Sequence, residues 1–202
     1  MSDTFEKEEF DNLMMNKLKA KKMCVDYLKQ HTLEFHECLD TDNGSTGIVV
    51  ALPHCYDCPD KRLEAELSFY DSCNEARVFY TQNAASWVEE STNKDALYRL
   101  MNFINARVWP QSHDGADGTL YSANCLICPR IYVTEDDSYD ITATTMIDYN
   151  ICDMAPLEVM DAVTVSMPQI LNELSAPIFL LVLGKIDVET AMQLVREKFG
   201  ME

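Results

Sequence analysis

Glycine is scarce, with six in 202 residues. No Gly-rich phosphate cradle, Walker sequence or Gly-x-Ser-x-Gly elbow is present, so the sequence signatures of nucleotide-binding loops and of α/β-hydrolases are missing. Basic residues are few as well: 16 Lys and Arg against 34 Asp and Glu, a formal net charge of −18. A chain this acidic is repelled by nucleic acid and by anionic lipid headgroups, so neither is an expected partner. The acidity suits solubility, or a basic partner. Long apolar runs are lacking too, the longest being Ile178–Leu183, against the ~20 residues of a membrane-spanning helix. The opening MSDTFEKEEFDNL has neither the basic start nor the apolar centre of a secretory signal. These absences predict a soluble, cytoplasmic protein with no membrane partner.

What is present supports a sizeable core, with 47% hydrophobic and 25% charged residues. Eight cysteines, at 24, 38, 55, 58, 73, 125, 128 and 152, sit in a chain too long to need disulfide staples. In a reducing compartment they are expected as thiols.

The clearest pattern lies at 62–82. Leu63, Ala65, Leu67 and Phe69 alternate with Glu64, Glu66 and Ser68, as a strand with one wet face requires. A polar turn and a second strand follow. Before this hairpin, a helix is expected over Phe5–Gln30, with Leu18, Val25 and Leu28 near helical spacing and Phe5–Met15 as a separate turn or mobile arm. Phe35, Glu37 and Leu39 then alternate, Asp42-Asn43-Gly44-Ser45 makes a hairpin turn, and Ile48–Leu52 returns until Pro53 stops it. His54–Asp60 reads as a loop.

Residues 83–92 read as polar and irregular. Thr92 with Asp95 three residues on then signals a helix start, and its stripe is Leu97, Leu100, Met101, Ile104 and Val108, ended by Pro110. Ser112–Gly118 is a loop. Residues 119–150 read as more sheet, with Pro129 placing the first strand at an edge or breaking it, Glu135–Ser138 as the turn, and Ile141, Ala143, Thr145, Ile147 and Tyr149 on the return. The rest is helical: Pro156 opens a face of Met160, Val163, Met167, Ile170 and Leu174, Pro168 kinks it, Pro177 breaks it again and Gly184 stops it. Asp187 caps a last helix bearing Val188, Met192, Val195 and Phe199. The organisation expected is a single α+β domain over 1–202, with an N-terminal arm at 1–15 and added C-terminal helices at 177–202.

This succession resembles the YbjN family, and is similar in order to the type III secretion chaperones whose fold YbjN-like domains share. The resemblance rests on EFHECL (34–39) leading to GIVVALP (47–53) and on RLEAELSFYDSCNEARVFY (62–80). It rests further on ALYRLMNFINARVW (96–109), with Asn102 and Asn105 near positions where the family carries asparagine, and on RIYVTEDDSYDITATTMIDYN (130–150) leading into a helix. It covers roughly residues 16–175, as a pattern and not as a chemically specific motif. What it implies is a bacterial sensory-transduction regulator with no agreed reaction and no catalytic residues to transfer, built as a dimer that holds another polypeptide.

Two C-x-x-C pairs, Cys55/Cys58 and Cys125/Cys128, have the local spacing of zinc or redox sites. Yet 66 residues separate Cys58 from Cys125, more than zinc ribbons use, and strand neighbours three apart point to opposite faces. The plainer reading makes Cys125 a core residue and the loop pair free thiols, with no metal and no cofactor. His54 beside Cys55 imitates a nucleophile pair, although adjacent residues rarely direct their side chains at one another. His31, His36 and His113 have no spacing partner, and the acidic clusters lack calcium-loop spacing.

Apolar surface is the remaining handle. Trp87, Met101, Phe103, Ile104 and Trp109 lie on or beside the mid-chain helix, either as packing on its own sheet or as a dimer or partner surface. The function expected from all this is a non-enzymatic protein-binding or regulatory module, a homodimer engaging another protein or peptide. The alternatives are a metal- or redox-linked regulator using the cysteine pairs, and an enzyme whose site escapes motif reading.

Overall fold

The computed structural model describes residues 2–39, 46–108, 113–114, 120–121, 127–134, 136 and 138–201, with side chains described for these except 2–13, 113–114 and 120–121. It is an α+β fold. The elements in order are α1 (Ser2–Gln30), β1 (Phe35–Leu39), β2 (Thr46–Pro53), β3 (Arg62–Phe69), β4 (Cys73–Tyr80), α2 (Gln82–Glu90) and α3 (Lys94–Arg107). After them come β5 (His113–Asp114), β6 (Leu120–Tyr121), β7 (Arg130–Val133), β8 (Ile141–Asp148), α4 (Tyr149–Met154) and α5 (Pro156–Asp161). A π-helical turn (Ala162–Ser166), α6 (Met167–Val182) and α7 (Val188–Lys198) complete the chain.

Six strands form one sheet in the order β1-β2-β3-β4-β8-β7, and every neighbouring pair is antiparallel. The strands β5 and β6 pair separately. Register makes the alternation of the sequence into a core: Leu63 faces Tyr80, Ala65 faces Val78 and Leu67 faces Ala76, all of them buried. The same face carries Ile48, Val50, Ile131, Ala143 and Ile147 and packs against helices. The other face presents Glu64, Glu66, Glu75, Arg77, Met146 and Tyr132, which are half-buried or exposed. Gly47 lies on that outer face, where a Cβ would stand 2.8 Å from the Cys38 sulfur across the β1–β2 pair. Any larger residue there would have to turn the Cys38 thiol aside.

Helix α1 continues unbroken through Phe5–Met15, which the sequence suggested as a separate turn. Its buried residues are Ala20, Cys24, Tyr27 and Leu28, while Leu18 is exposed. Of the stripe read from the sequence, Leu28 is buried and Val25 packs against the core, and only Leu18 falls outside the contact, which Ala20, Cys24 and Tyr27 complete. The segment 83–92, read as irregular, is mostly α2. Ala84 and Val88 are buried and Trp87 packs edge-on against Phe179, with ring centroids 5.7 Å apart. The i, i+3, i+4 spacing of these three residues was the overlooked signal.

Helix α3 buries Leu97, Leu100, Met101 and Ile104 as the stripe predicts, and Val108 is its C-cap. Its N-cap is Asn93, not Thr92, and the Asn93 side chain donates to the Leu181 carbonyl instead of capping. Tyr149 heads α4 instead of extending the strand, because Asp148 accepts a bond from the Asn150 N–H and starts the helix.

Pro168 behaves as expected in one respect. Just before it the helix loosens into a π turn, where the Met167 N–H reaches back to Ala162. Pro177, by contrast, does not break the helix: α6 runs through it, with Ile178, Phe179, Leu181 and Val182 buried beyond. Interior proline costs about 3 kcal/mol, and burying these four apolar side chains at about 1.5–3 kcal/mol each outweighs that. A boundary at 177 therefore falls inside α6. The helix ends at Gly184, whose φ of 65° permits the bonds from Gly184 to Leu181 and from Lys185 to Leu180. Helix α7 is capped by Asp187, which accepts from Thr190, and packs on α3 and α6 of its own chain.

The stretch Pro156–Val182 is long and apolar enough by length and composition to cross a membrane, but 61% of its most apolar window is buried inside the fold.

Candidate functional site

Two places carry the candidate residues of the sequence, which the structure does not bring together, and the fold adds a third.

The first is the loop between β2 and β3. Cys55 and Cys58 are both buried in it, and the Cys58 N–H donates to the Cys55 carbonyl at 3.0 Å, closing a turn. The Cys55 thiol points to the Leu52 carbonyl and the Cys58 thiol to Asn172 Oδ1. Helix α6 anchors the loop further: Asn172 accepts from the Asp57 N–H at 3.0 Å, and Ser175 donates to the Asp57 carbonyl at 2.7 Å. His54 does not face Cys55. Its ring nitrogen Nδ1 lies 2.9 Å from the Tyr56 hydroxyl, on a backbone with φ of 73°. Among the described residues no group of three His, Cys, Asp or Glu side chains is placed to hold a metal ion. Cys128 is exposed, and Cys125 lies outside the described residues.

The second is the mid-chain helix with its flanking tryptophans. Met101 and Ile104 are in the core, which removes them from any free surface. Phe103 and Trp87 are partly buried against their own chain: the Arg196 guanidinium of α7 lies 4.9 Å above the Phe103 ring, and Trp87 meets Phe179 of α6. Phe103 and Trp87 keep partial exposure beside the C-terminal helices, whose contact with α3 no local pattern reveals. Trp109 and Pro110 lie outside the described residues, as do the Asp42–Ser45 turn, the Gly115–Gly118 loop, Glu135 and Asp137. On the other flank of α3, Asn105 brackets the edge strand. Its Nδ2 donates to the Ile131 carbonyl at 2.7 Å, and its Oδ1 accepts from the Ile131 N–H at 2.8 Å.

The third place was not singled out from the sequence. A shallow groove of about 130 Å³ runs between α1 and the α4–α5 corner, lined in part by Lys19, Met23, Tyr149, Cys152, Asp153 and Pro156. Exposed apolar side chains adjoin its lining residues in sequence: Met154, 85% exposed, follows Asp153, and Leu157, 62% exposed, follows Pro156; Met15 and Leu18 are also exposed on α1. Beneath it, Asn74 is fully buried, donates to the Cys152 sulfur and keeps an unpartnered Oδ1. Burial pushes the Cys24 thiol up to about 12, with Cys152 adding to the effect, and burial with the Asp148 charge pushes Cys152 up to about 11. Both therefore remain protonated and unreactive at neutral pH. The signal available in the sequence was Met154 and Leu157 on either side of a helix-opening proline.

On the outer sheet face, burial raises the Asp140 carboxyl above its ordinary value, against opposing contributions from Ser138 and Arg77. A raised carboxyl binds its proton more tightly folded than unfolded, so stability falls as pH rises through the folded value. Asp140→Asn is accordingly expected to stabilise the fold at pH 7, and the gain should vanish below about pH 3, where both states are protonated. Urea titrations of the two proteins at both pH values measure this.

No protein-family model, curated protein or solved structure matches the chain.

Proposed function

We propose that the chain is a non-enzymatic protein-binding or regulatory module, YbjN-like and secretion-chaperone-like in kind, working in the cytoplasm as a homodimer that engages another protein or peptide. The observation that carries this reading is the groove between α1 and α4–α5, lined in part by Met23 and Pro156, with the exposed Met154 and Leu157 next in sequence to its lining residues Asp153 and Pro156. Solvent-facing Met and Leu around a concave strip suit an apolar helix or peptide, and methionine adapts to varied partners. The acidic surface favours a partner that is basic outside its apolar contact.

Light scattering is expected to give twice the chain mass. The double variant Met154→Asp, Leu157→Asp is expected to lose the dimer, the bound peptide or both while keeping its far-UV circular dichroism and melting temperature, because both side chains are already exposed. A wild-type monomer at every concentration, with no protein recovered in pull-downs, would sink the reading.

A further inference from the structure

We propose that Cys55 and Cys58 are a thiol–disulfide exchange pair, closed to an intramolecular disulfide by low-molecular-weight disulfides. Their geometry is that of a pair ready to join. The turn closed by the Cys58 N–H and the Cys55 carbonyl keeps the first and fourth Cα atoms within ~7 Å, near the ~4.4–6.8 Å that a disulfide spans. The two thiols act on one another's protonation: the neighbouring Cys58 holds the Cys55 thiol below its ordinary value despite burial, and Cys55, with burial acting in the same direction, pushes Cys58 up. Cys55 is also the more exposed of the two, at 8% against 3%. Cys55 is therefore the attacking sulfur and Cys58 the resolving one.

Surrounding features agree. The loop ends on two left-handed residues, His54 and Lys61, with φ of 73° and 55°, a backbone state that costs energy and eases opening. Tyr56, between the two cysteines in sequence, is exposed, with its hydroxyl against His54. Among the described residues no third metal-ligating side chain joins the two sulfurs, so exchange suits them better than zinc.

The steps balance. Cys55 gives its proton to solvent, and its thiolate attacks one sulfur of an external disulfide RS–SR, forming a mixed disulfide and expelling RS⁻. Cys58 loses its proton and attacks the Cys55 sulfur, expelling the second RS⁻, which is protonated. Two protein thiols are oxidised and one external disulfide is reduced to two thiols. The pair is independent of the partner-binding groove, so failure of one leaves the other standing.

The test exposes the full chain to graded mixtures of reduced and oxidised glutathione, followed by acid quench, alkylation and peptide mapping. The Cys55–Cys58 peptide is expected to lose two hydrogen atoms at oxidised glutathione concentrations about tenfold below those that glutathionylate exposed Cys128, because its second step is intramolecular. Cys58→Ser should retain one glutathione on Cys55. Cys55→Ser should leave Cys58 unmodified at the same concentrations. Recovery of both cysteines as alkylated thiols when Cys128 is already modified would overturn the proposal, as would a Cys58→Ser protein with no glutathione on Cys55.

Discussion

Tyr80→Ala is expected to remove about 3–5 kcal/mol of unfolding free energy, the range for deleting a large buried aromatic, and to lower the melting temperature by on the order of 10 °C. Tyr80 sits at the end of β4, 1% exposed, where it joins the sheet to the C-terminal helices. Its ring meets Phe179 edge-to-face with centroids 4.9 Å apart, and its hydroxyl donates to the Leu171 carbonyl. Tyr80→Phe separates the two contributions. It keeps the ring and loses the hydroxyl bond, at about 1 kcal/mol. Urea unfolding followed by circular dichroism measures both variants. Equal losses for Ala and Phe would mean that the hydroxyl, and not ring packing, ties the layers together.

The second large effect is expected at Asn105. This side chain imitates a neighbouring strand, giving the Ile131 N–H and carbonyl the partners they would otherwise lack on the outer edge of β7. Asn105→Ala removes both bonds, and water replaces them only in part, so a loss of about 1–3 kcal/mol is expected. A four-residue strand stripped of its cover also becomes an open edge for pairing with other chains. The Ile131 amide should exchange its hydrogen faster in the variant, and turbidity on warming should rise. Unchanged exchange at Ile131 would show that the edge is held by its pairing with β8 alone. Asn102, the other asparagine named with this helix, is exposed and lacks this role.

Much of the fold was readable because strands and amphipathic helices carry short periods. The 62–80 hairpin has alternating burial from Leu63 to Tyr80, and the α3 stripe is buried as spaced. Capping chemistry is equally local, as Asp187 and Gly184 show. Reading failed where a local rule met a stronger contact. The cap expected at Thr92 fell at Asn93, whose side chain bonds the Leu181 carbonyl, and Pro177 stayed helical because its neighbours are packed on both sides. On α3, Met101 and Ile104 turn into the core, and Phe103 meets Arg196 of α7 from about 90 residues further along the chain.

The sequence by itself determined the α+β class, the one-faced strands and the ends marked by Pro156, Gly184 and Asp187, because each depends on side chains within a few positions of one another. Only the tertiary structure decided which helix faces remain open, that Asn105 seals an edge, and that Cys55 and Cys58 share a turn braced by Asn172 and Ser175. Those outcomes arise from contacts between distant segments, where shape and desolvation select the partner and no sequence period records the choice.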